Sequence, residues 1–154
     1  MMKYLPLLVL SVFLFAQTDK AESKDKKLGA AGMVVKIYCE LDGLGAKLAT
    51  DTWKFIRVLF DWEDEPGWDF MYIIDRYEIV SERYKGDRAF VRVRYHLVGI
   101  LEGNDPFKKQ NKIENVTYEL KYTRDGWKIT DEHTKTSYPP HVFLKLYEED
   151  ISRR

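Results

Sequence analysis

Val116-Thr117-Tyr118-Glu119-Leu120-Lys121-Tyr122-Thr123-Arg124-Asp125-Gly126-Trp127-Lys128-Ile129-Thr130-Asp131 decides the fold class of this chain. Val116, Tyr118, Leu120 and Tyr122 alternate with Thr117, Glu119, Lys121 and Thr123, the period of a strand with one buried face. Asp125-Gly126 then breaks the alternation, and Trp127 to Asp131 resumes it as the return strand. An Asp-Gly pair between two alternating runs is a strong local hairpin signal.

The same period extends upstream. Arg88 to Leu101 places Ala89, Val91, Val93, Tyr95 and Leu97 on one side and Arg92, Arg94 and His96 on the other, as in an antiparallel sheet with one wet face. Gly99 marks a bend or bulge late in that strand. Lys85-Gly86-Asp87 is a turn, and Tyr72 to Glu82, rich in Ile, Tyr and Val, is the strand before it. Gly103 to Lys112, with Pro106, reads as a polar loop. Before residue 60 the period is helical. Met33, Val34, Ile37, Tyr38, Leu41, Leu44 and Leu48 recur at three- and four-residue intervals, with Gly43 and Gly45 weakening the last turns. Thr50 or Asp51 is positioned to cap a second helix carrying Trp53, Phe55, Ile56, Leu59 and Phe60. After Pro139-Pro140, the patch Val142, Phe143, Leu144 and Leu146 predicts a short terminal helix. The plan is α+β: N-terminal helices packed on a curved antiparallel sheet of about four to six strands.

The N-terminus carries an address. Lys3 precedes an apolar run that ends at Ala16, and the uncharged stretch Tyr4–Thr18 is fifteen residues, short of the roughly 20 a spanning helix needs. Residues 1–16 therefore read as a secretory signal peptide, with an uncleaved tether as the alternative. Residues 17–27 form a charged linker and residues 28–154 a single domain. The expected location is the periplasm or outside the cell, with no stable membrane insertion after cleavage. Lys and Arg number 25, as do Asp and Glu, so no basic excess draws the chain to nucleic acid or to an anionic membrane surface. Cys39 is the one cysteine. It cannot form an internal disulfide, and Ile37 and Leu41 around it predict a buried, inert thiol.

Recognisable chemistry is sparse. Asp61, Glu63, Asp64, Glu65 and Asp69 are hard oxygen donors, but they lack the spacing of the twelve-residue calcium loop. His96, His133 and His141 share no short ligand spacing, so no metal site is expected. There is no Gly-x-Ser-x-Gly elbow, and Gly43-x-Gly45 lacks the Gly-Lys-Ser/Thr ending of a phosphate loop. No cofactor is implied. Arg92, Arg94 and His96 are expected to pair across the strands with Glu119 and Lys121. Asn115-Val116-Thr117 fits a glycosylation acceptor, meaningful in a eukaryotic secretory pathway.

The helix pair, the long alternating strand and the closing Tyr118-x-Leu120-x-Tyr122-x-x-Asp125-Gly126-Trp127-Lys128-Ile129-x-Asp131 hairpin resemble the nuclear transport factor 2-like superfamily over roughly residues 28 to 138. Trp62-x-x-Glu65-Pro66-Gly67-Trp68-Asp69 and Pro139-Pro140-His141-Val142 are similar to an exported bacterial branch of it. The resemblance implies a cone-shaped pocket between helices and the concave sheet face. Members include isomerases, dehydratases and cyclases as well as proteins that only bind or dimerise, so no activity transfers with the fold. The isomerase branch uses a base carboxylate with oxyanion donors, and its motif does not map onto this chain residue by residue. The pocket candidates are Asp131, which shares strand parity with Trp127 and Ile129, the strand tyrosines Tyr77, Tyr95 and Tyr118, and Trp62 and Trp68 at the mouth. The leading expectation is non-catalytic binding of a small apolar or amphipathic ligand, or of a partner protein. The alternatives are an acid-base enzyme built on Asp131 and a homodimeric envelope module joined through its outer sheet face.

Overall fold

The computed structural model describes residues 27–62, 67–130 and 138–152. Residues 1–16, read above as a signal peptide, most of the stretch read as a linker, Glu63–Pro66 and Asp131 lie outside the described residues. The elements run α1 (Ala30–Gly43), α2 (Thr50–Arg57), β1 (Phe70–Lys85), β2 (Arg88–Glu102), β3 (Lys108–Thr123), β4 (Gly126–Thr130), β5 (His141–Phe143) and α3 (Leu144–Ser152). One sheet of order β4-β3-β2-β1-β5 curls into a half-barrel with helices packed on it, an α+β fold. The meander β1 to β4 is antiparallel. The fifth strand departs from the all-antiparallel expectation: β5 runs parallel to β1, pairing Tyr72 with His141 and Ile74 with Phe143.

The strands form for the reasons their alternation states. Ala89, Val91, Val93, Tyr95 and Leu97 are buried, as are Tyr118 and Leu120 opposite them on β3. Register shifts at Ile73/Ile74, Ile79/Ser81 and Leu97/Gly99 bend the long strands, since an unpaired extra residue kinks and twists its strand. Gly126 takes φ +94° at the end of the β3–β4 turn, a conformation open to glycine. Thr123 Oγ1 clamps that turn, accepting from Asp125 N at 3.2 Å and donating to Gly126 O at 2.9 Å. The β4 edge is covered by Leu59–Asp61: Asp61 N donates to Ile129 O (3.1 Å) and Ile129 N to Leu59 O (2.8 Å), which satisfies an otherwise open strand edge.

Four expectations are corrected. The strand β3 starts at Lys108, inside the stretch read as a loop. Most of its first ten residues are solvent-exposed on both faces, so they carry no alternation. The helix α2 is entered from Ala49, with neither Thr50 nor Asp51 as its cap. Arg94 and His96 pair with Glu78 on β1 (3.5 and 3.0 Å) rather than with β3, while Glu119 takes Arg88. The face of α1 that meets the sheet holds Ala31, Val35, Tyr38, Cys39 and Asp42, whereas Met33, Ile37, Leu44 and Leu48 are exposed. Small side chains at Ala31, Gly32, Val35 and Cys39 let the helix sit close on the curved sheet, and the bulkier apolar row is turned outward.

The candidate functional site

The space between α1, α2 and the concave sheet is packed. Tyr38, Tyr95, Tyr118, Trp53, Ile56 and Phe60 fill it, with Tyr38 edge-on to Phe60 and Tyr118 at ring separations of 5.5 and 5.1 Å. Open volume lies beyond one end of the sheet. There a cleft of about 910 Å³ is bounded by the start of β1 (Phe70, Met71, Ile73), the β2–β3 loop with Phe107, β5 with Val142, and α3 with Leu146, Tyr147 and Ile151. Trp68 and Lys47 stand at one end of it, and Asp69, Asp105 and Asp150 also line it. Phe107 lies over Gly99 and stacks on Tyr147 at 5.2 Å, so the loop wall is held by an aromatic pair.

Lys47 links this cleft to a polar cluster buried beneath it. Its Nζ donates to the Tyr138 carbonyl at 2.8 Å and to the Tyr38 hydroxyl, and lies 3.8 Å from Asp42 Oδ2. The Trp68 ring covers the ammonium, its centroid 5.0 Å away. Asp42 is wholly buried and Lys47 only 4 % exposed. Burial brings the Lys47 ammonium down to about 8, against the opposing pull of Asp42 and Cys39. Desolvation of the charge thus outweighs its pairing.

Asp42 also holds β5. Its Oδ2 accepts the backbone N–H of His141 at 3.1 Å, and its Oδ1 is buried with no hydrogen-bond partner. The His141 ring lies flat on Tyr95, 3.9 Å between centroids and 12° between planes. Its Nε2 meets Glu114 Oε2 at 3.0 Å. Its Nδ1 stands 3.7 Å from Asp42 Oδ2, an ion-pair distance too long for a hydrogen bond. Burial alone would lower the His141 pKa, but the carboxylates of Asp42 and Glu114 overcome it and leave the imidazole above its ordinary value.

The tyrosine hydroxyls form a chain: Cys39 Sγ to Tyr95 Oη at 3.1 Å, and Tyr95 Oη to Tyr118 Oη at 2.8 Å. Burial foremost pushes the Cys39 thiol and the Tyr38, Tyr95 and Tyr118 phenols upward. All four stay protonated at neutral pH, so Cys39 offers no thiolate for nucleophilic chemistry.

The residues singled out from the sequence fall into different places. Trp68 lines the cleft. Trp62 lies elsewhere, packed on Phe60 at 4.3 Å. Tyr95 and Tyr118 are core residues joined through their hydroxyls. Tyr77 leans on the outside of α1, its hydroxyl donating to Glu40 Oε1 at 2.6 Å. Asp131 is outside the described residues. The sequence reading missed Asp42, Lys47 and Glu114 and passed over His141. Asp42 and His141 are 99 residues apart, so no motif spacing joins them. The available signal was an acid, Asp42, four residues after Tyr38 and inside the apolar helical pattern.

Among the described residues no helix is long and apolar enough to cross a membrane, and no group of three or more His, Cys, Asp or Glu side chains could hold a metal ion. No protein-family model matches the chain, and no curated protein matches it in sequence. Among solved structures, the intermembrane-space region of the chloroplast protein ARC6 is similar in shape at a TM-score of 0.40 and 16% identity, over 69% of this chain and 95% of that one. A likeness this slight bears on neither family nor function.

Proposed function

We propose that this chain is an exported domain of the nuclear transport factor 2-like kind that binds a small amphipathic ligand without transforming it. The observation that carries the reading is the cleft. Its volume of about 910 Å³ lies within the roughly 300–1,000 Å³ of small-molecule sites, which are mostly apolar with few placed polar groups. Phe70, Met71, Ile73, Phe107, Val142 and Leu146 supply apolar walls, and Lys47 supplies a polar end. The acidic rim residues Asp69 and Asp105 disfavour a strongly anionic ligand. The leader 1–16 supports an exported site of action.

The test uses N-phenyl-1-naphthylamine, a neutral dye that brightens in dry sites. Saturable uptake of one dye per chain is expected. Trp68→Ala removes an aromatic wall whose contacts are worth about 1 kcal/mol, so its dissociation constant rises by about five- to tenfold. Unsaturable uptake, or equal affinity in the variant, defeats the reading.

A further inference from the structure

Among the described residues, Lys47 alone both lines the cleft and joins the buried cluster. Its surroundings account for two of its three nitrogen valences outside the side-chain stem: Tyr138 O and Tyr38 Oη accept from it, while Asp42 Oδ2 at 3.8 Å is too distant for a third hydrogen bond. In the neutral amine those two N–H bonds are satisfied and a lone pair is left over. The face of Trp68 lies over that nitrogen, and Lys47 and Trp68 both line the cleft. A desolvated lysine against an apolar pocket is how proteins make an amine nucleophilic towards carbonyl compounds.

We propose that Lys47 is a covalent attachment point: its amine captures an amphipathic aldehyde or ketone in the cleft and holds it as an imine. The inference rests on the cleft being a ligand site and names the chemical class of its ligand. The nitrogen lone pair forms a bond to the carbonyl carbon as the C=O π pair moves onto oxygen. One N–H proton passes to that oxygen, giving the carbinolamine. The C–O bond then breaks, the oxygen leaves as water with the second N–H proton, and C=N remains. No oxidant or reductant enters, and water returns the free ligand by the reverse path. When the imine nitrogen is protonated, Tyr138 O remains to accept its proton and the Asp42 carboxylate stands nearby to balance the charge. The apolar walls around Phe107, Val142 and Leu146 take the ligand's chain.

Burial holds the ammonium near 8 while Asp42 and Cys39 of α1 oppose it. At pH 8 about half of Lys47 is neutral, against roughly 0.3 % of a lysine of ordinary pKa. That difference favours Lys47 over surface lysines by on the order of a hundredfold at equal access.

The experiment treats the full chain with decanal and sodium cyanoborohydride, which fixes imines as secondary amines, and maps the adducts by peptide mass spectrometry. In parallel, decanal and 1-decanol, which forms no imine, are tested as competitors of the naphthylamine dye. The expected result is a decyl adduct that accumulates at Lys47 at least tenfold faster than at any surface lysine, rises from pH 7 to 9, and is suppressed by 1-decanol. Lys47→Arg keeps a cation and forms no imine, so it acquires no preferred adduct. Because the wild-type map alone reports site selectivity, a variant that fails to fold does not spoil the test. Dye displacement by both compounds with decyl groups spread evenly over surface lysines overturns the covalent site and leaves the ligand cleft standing. Even labelling with no dye displacement overturns both.

Discussion

Gly99 shows how a single missing Cβ shapes the cleft. It sits at the register shift between Leu97 and Gly99 in β2, and a Cβ there would lie 2.0 Å from Phe107 Cε2 and 2.1 Å from its Cζ. Strand propensity alone favours alanine over glycine by roughly 0.5–1 kcal/mol. Displacing a packed ring costs about 1–3 kcal/mol, so the clash wins. Gly99→Ala is expected to destabilise the chain by about 1 kcal/mol, net of propensity, and to weaken dye binding, because the ring it expels is a wall of the cleft. In a Phe107→Ala background the same change becomes neutral or stabilising. Urea unfolding of the four proteins in this cycle checks the sign, and additivity would refute the contact. The sequence marked Gly99 as a bend, since an isolated glycine in an alternating strand has few other uses, but could not reveal the ring lying over it. Strand alternation likewise predicted that Tyr95 and Tyr118 face inward. Their hydroxyl partners, and the meeting of Asp42 with Lys47 and His141, depend on chain distances that no local pattern encodes.

At the scale of elements, α1 is anchored by a residue far from it in sequence. Its N-cap, Gly29, has no side chain to bond the first turn. Glu82 of β1 does that work, its Oε2 accepting Gly29 N at 2.8 Å and its Oε1 accepting Gly32 N at 2.7 Å, while Tyr84 Oη accepts Ala31 N at 3.2 Å. A carboxylate here also meets the positive end of the helix dipole. Cap removal costs about 1 kcal/mol, and up to about 2 with the charge. Glu82→Ala should therefore lower stability by that amount and speed hydrogen exchange at Gly32 and Met33 before the rest of α1. Unchanged exchange in the first turn would show that the carboxylate is not the cap. The existence of both N-terminal helices was legible from their 3.6 period. Which side of α1 faces inward was not, because the chain offers two apolar rows, and the one turned inward combines small side chains with the bulky Tyr38. The strand β5 was hidden for another reason. Three residues after Pro139-Pro140 carry too little pattern to read, and β5 exists because β1 and the Asp42 carboxylate receive its backbone.

For the whole molecule, the buried cluster makes stability a function of pH with two opposed slopes. The folded pKa of His141 is raised above the unfolded value of about 6.5, so between the two the native state holds the extra proton. Its contribution is complete below about 6.5 and is lost as pH rises through the folded value. The groups facing that imidazole are Asp42 from α1, Glu114 from β3, the Tyr95 ring from β2 and the Tyr72 ring from β1. Lys47 acts in the other direction. Its ammonium titrates near 8 in the fold and near 10.5 when unfolded, so across that interval the unfolded chain holds the extra proton and stability climbs with pH, by on the order of 1 to 3 kcal/mol. Above about 10 the buried phenols of Tyr38, Tyr95 and Tyr118 reverse the trend, because they ionise more readily once unfolded. Urea unfolding from pH 5.5 to 10 should therefore show a decline above about 6.5 and a recovery beyond 8. His141→Gln removes the decline and Lys47→Met removes the recovery, each leaving the other slope in place. If the wild type and both variants gave parallel profiles, neither group would be titrating from the interior, and Lys47 would be an ordinary surface-like ammonium with no claim on a carbonyl ligand. A recovery lost only in Lys47→Met ties the acid-base behaviour of the core to a residue that lines the cleft.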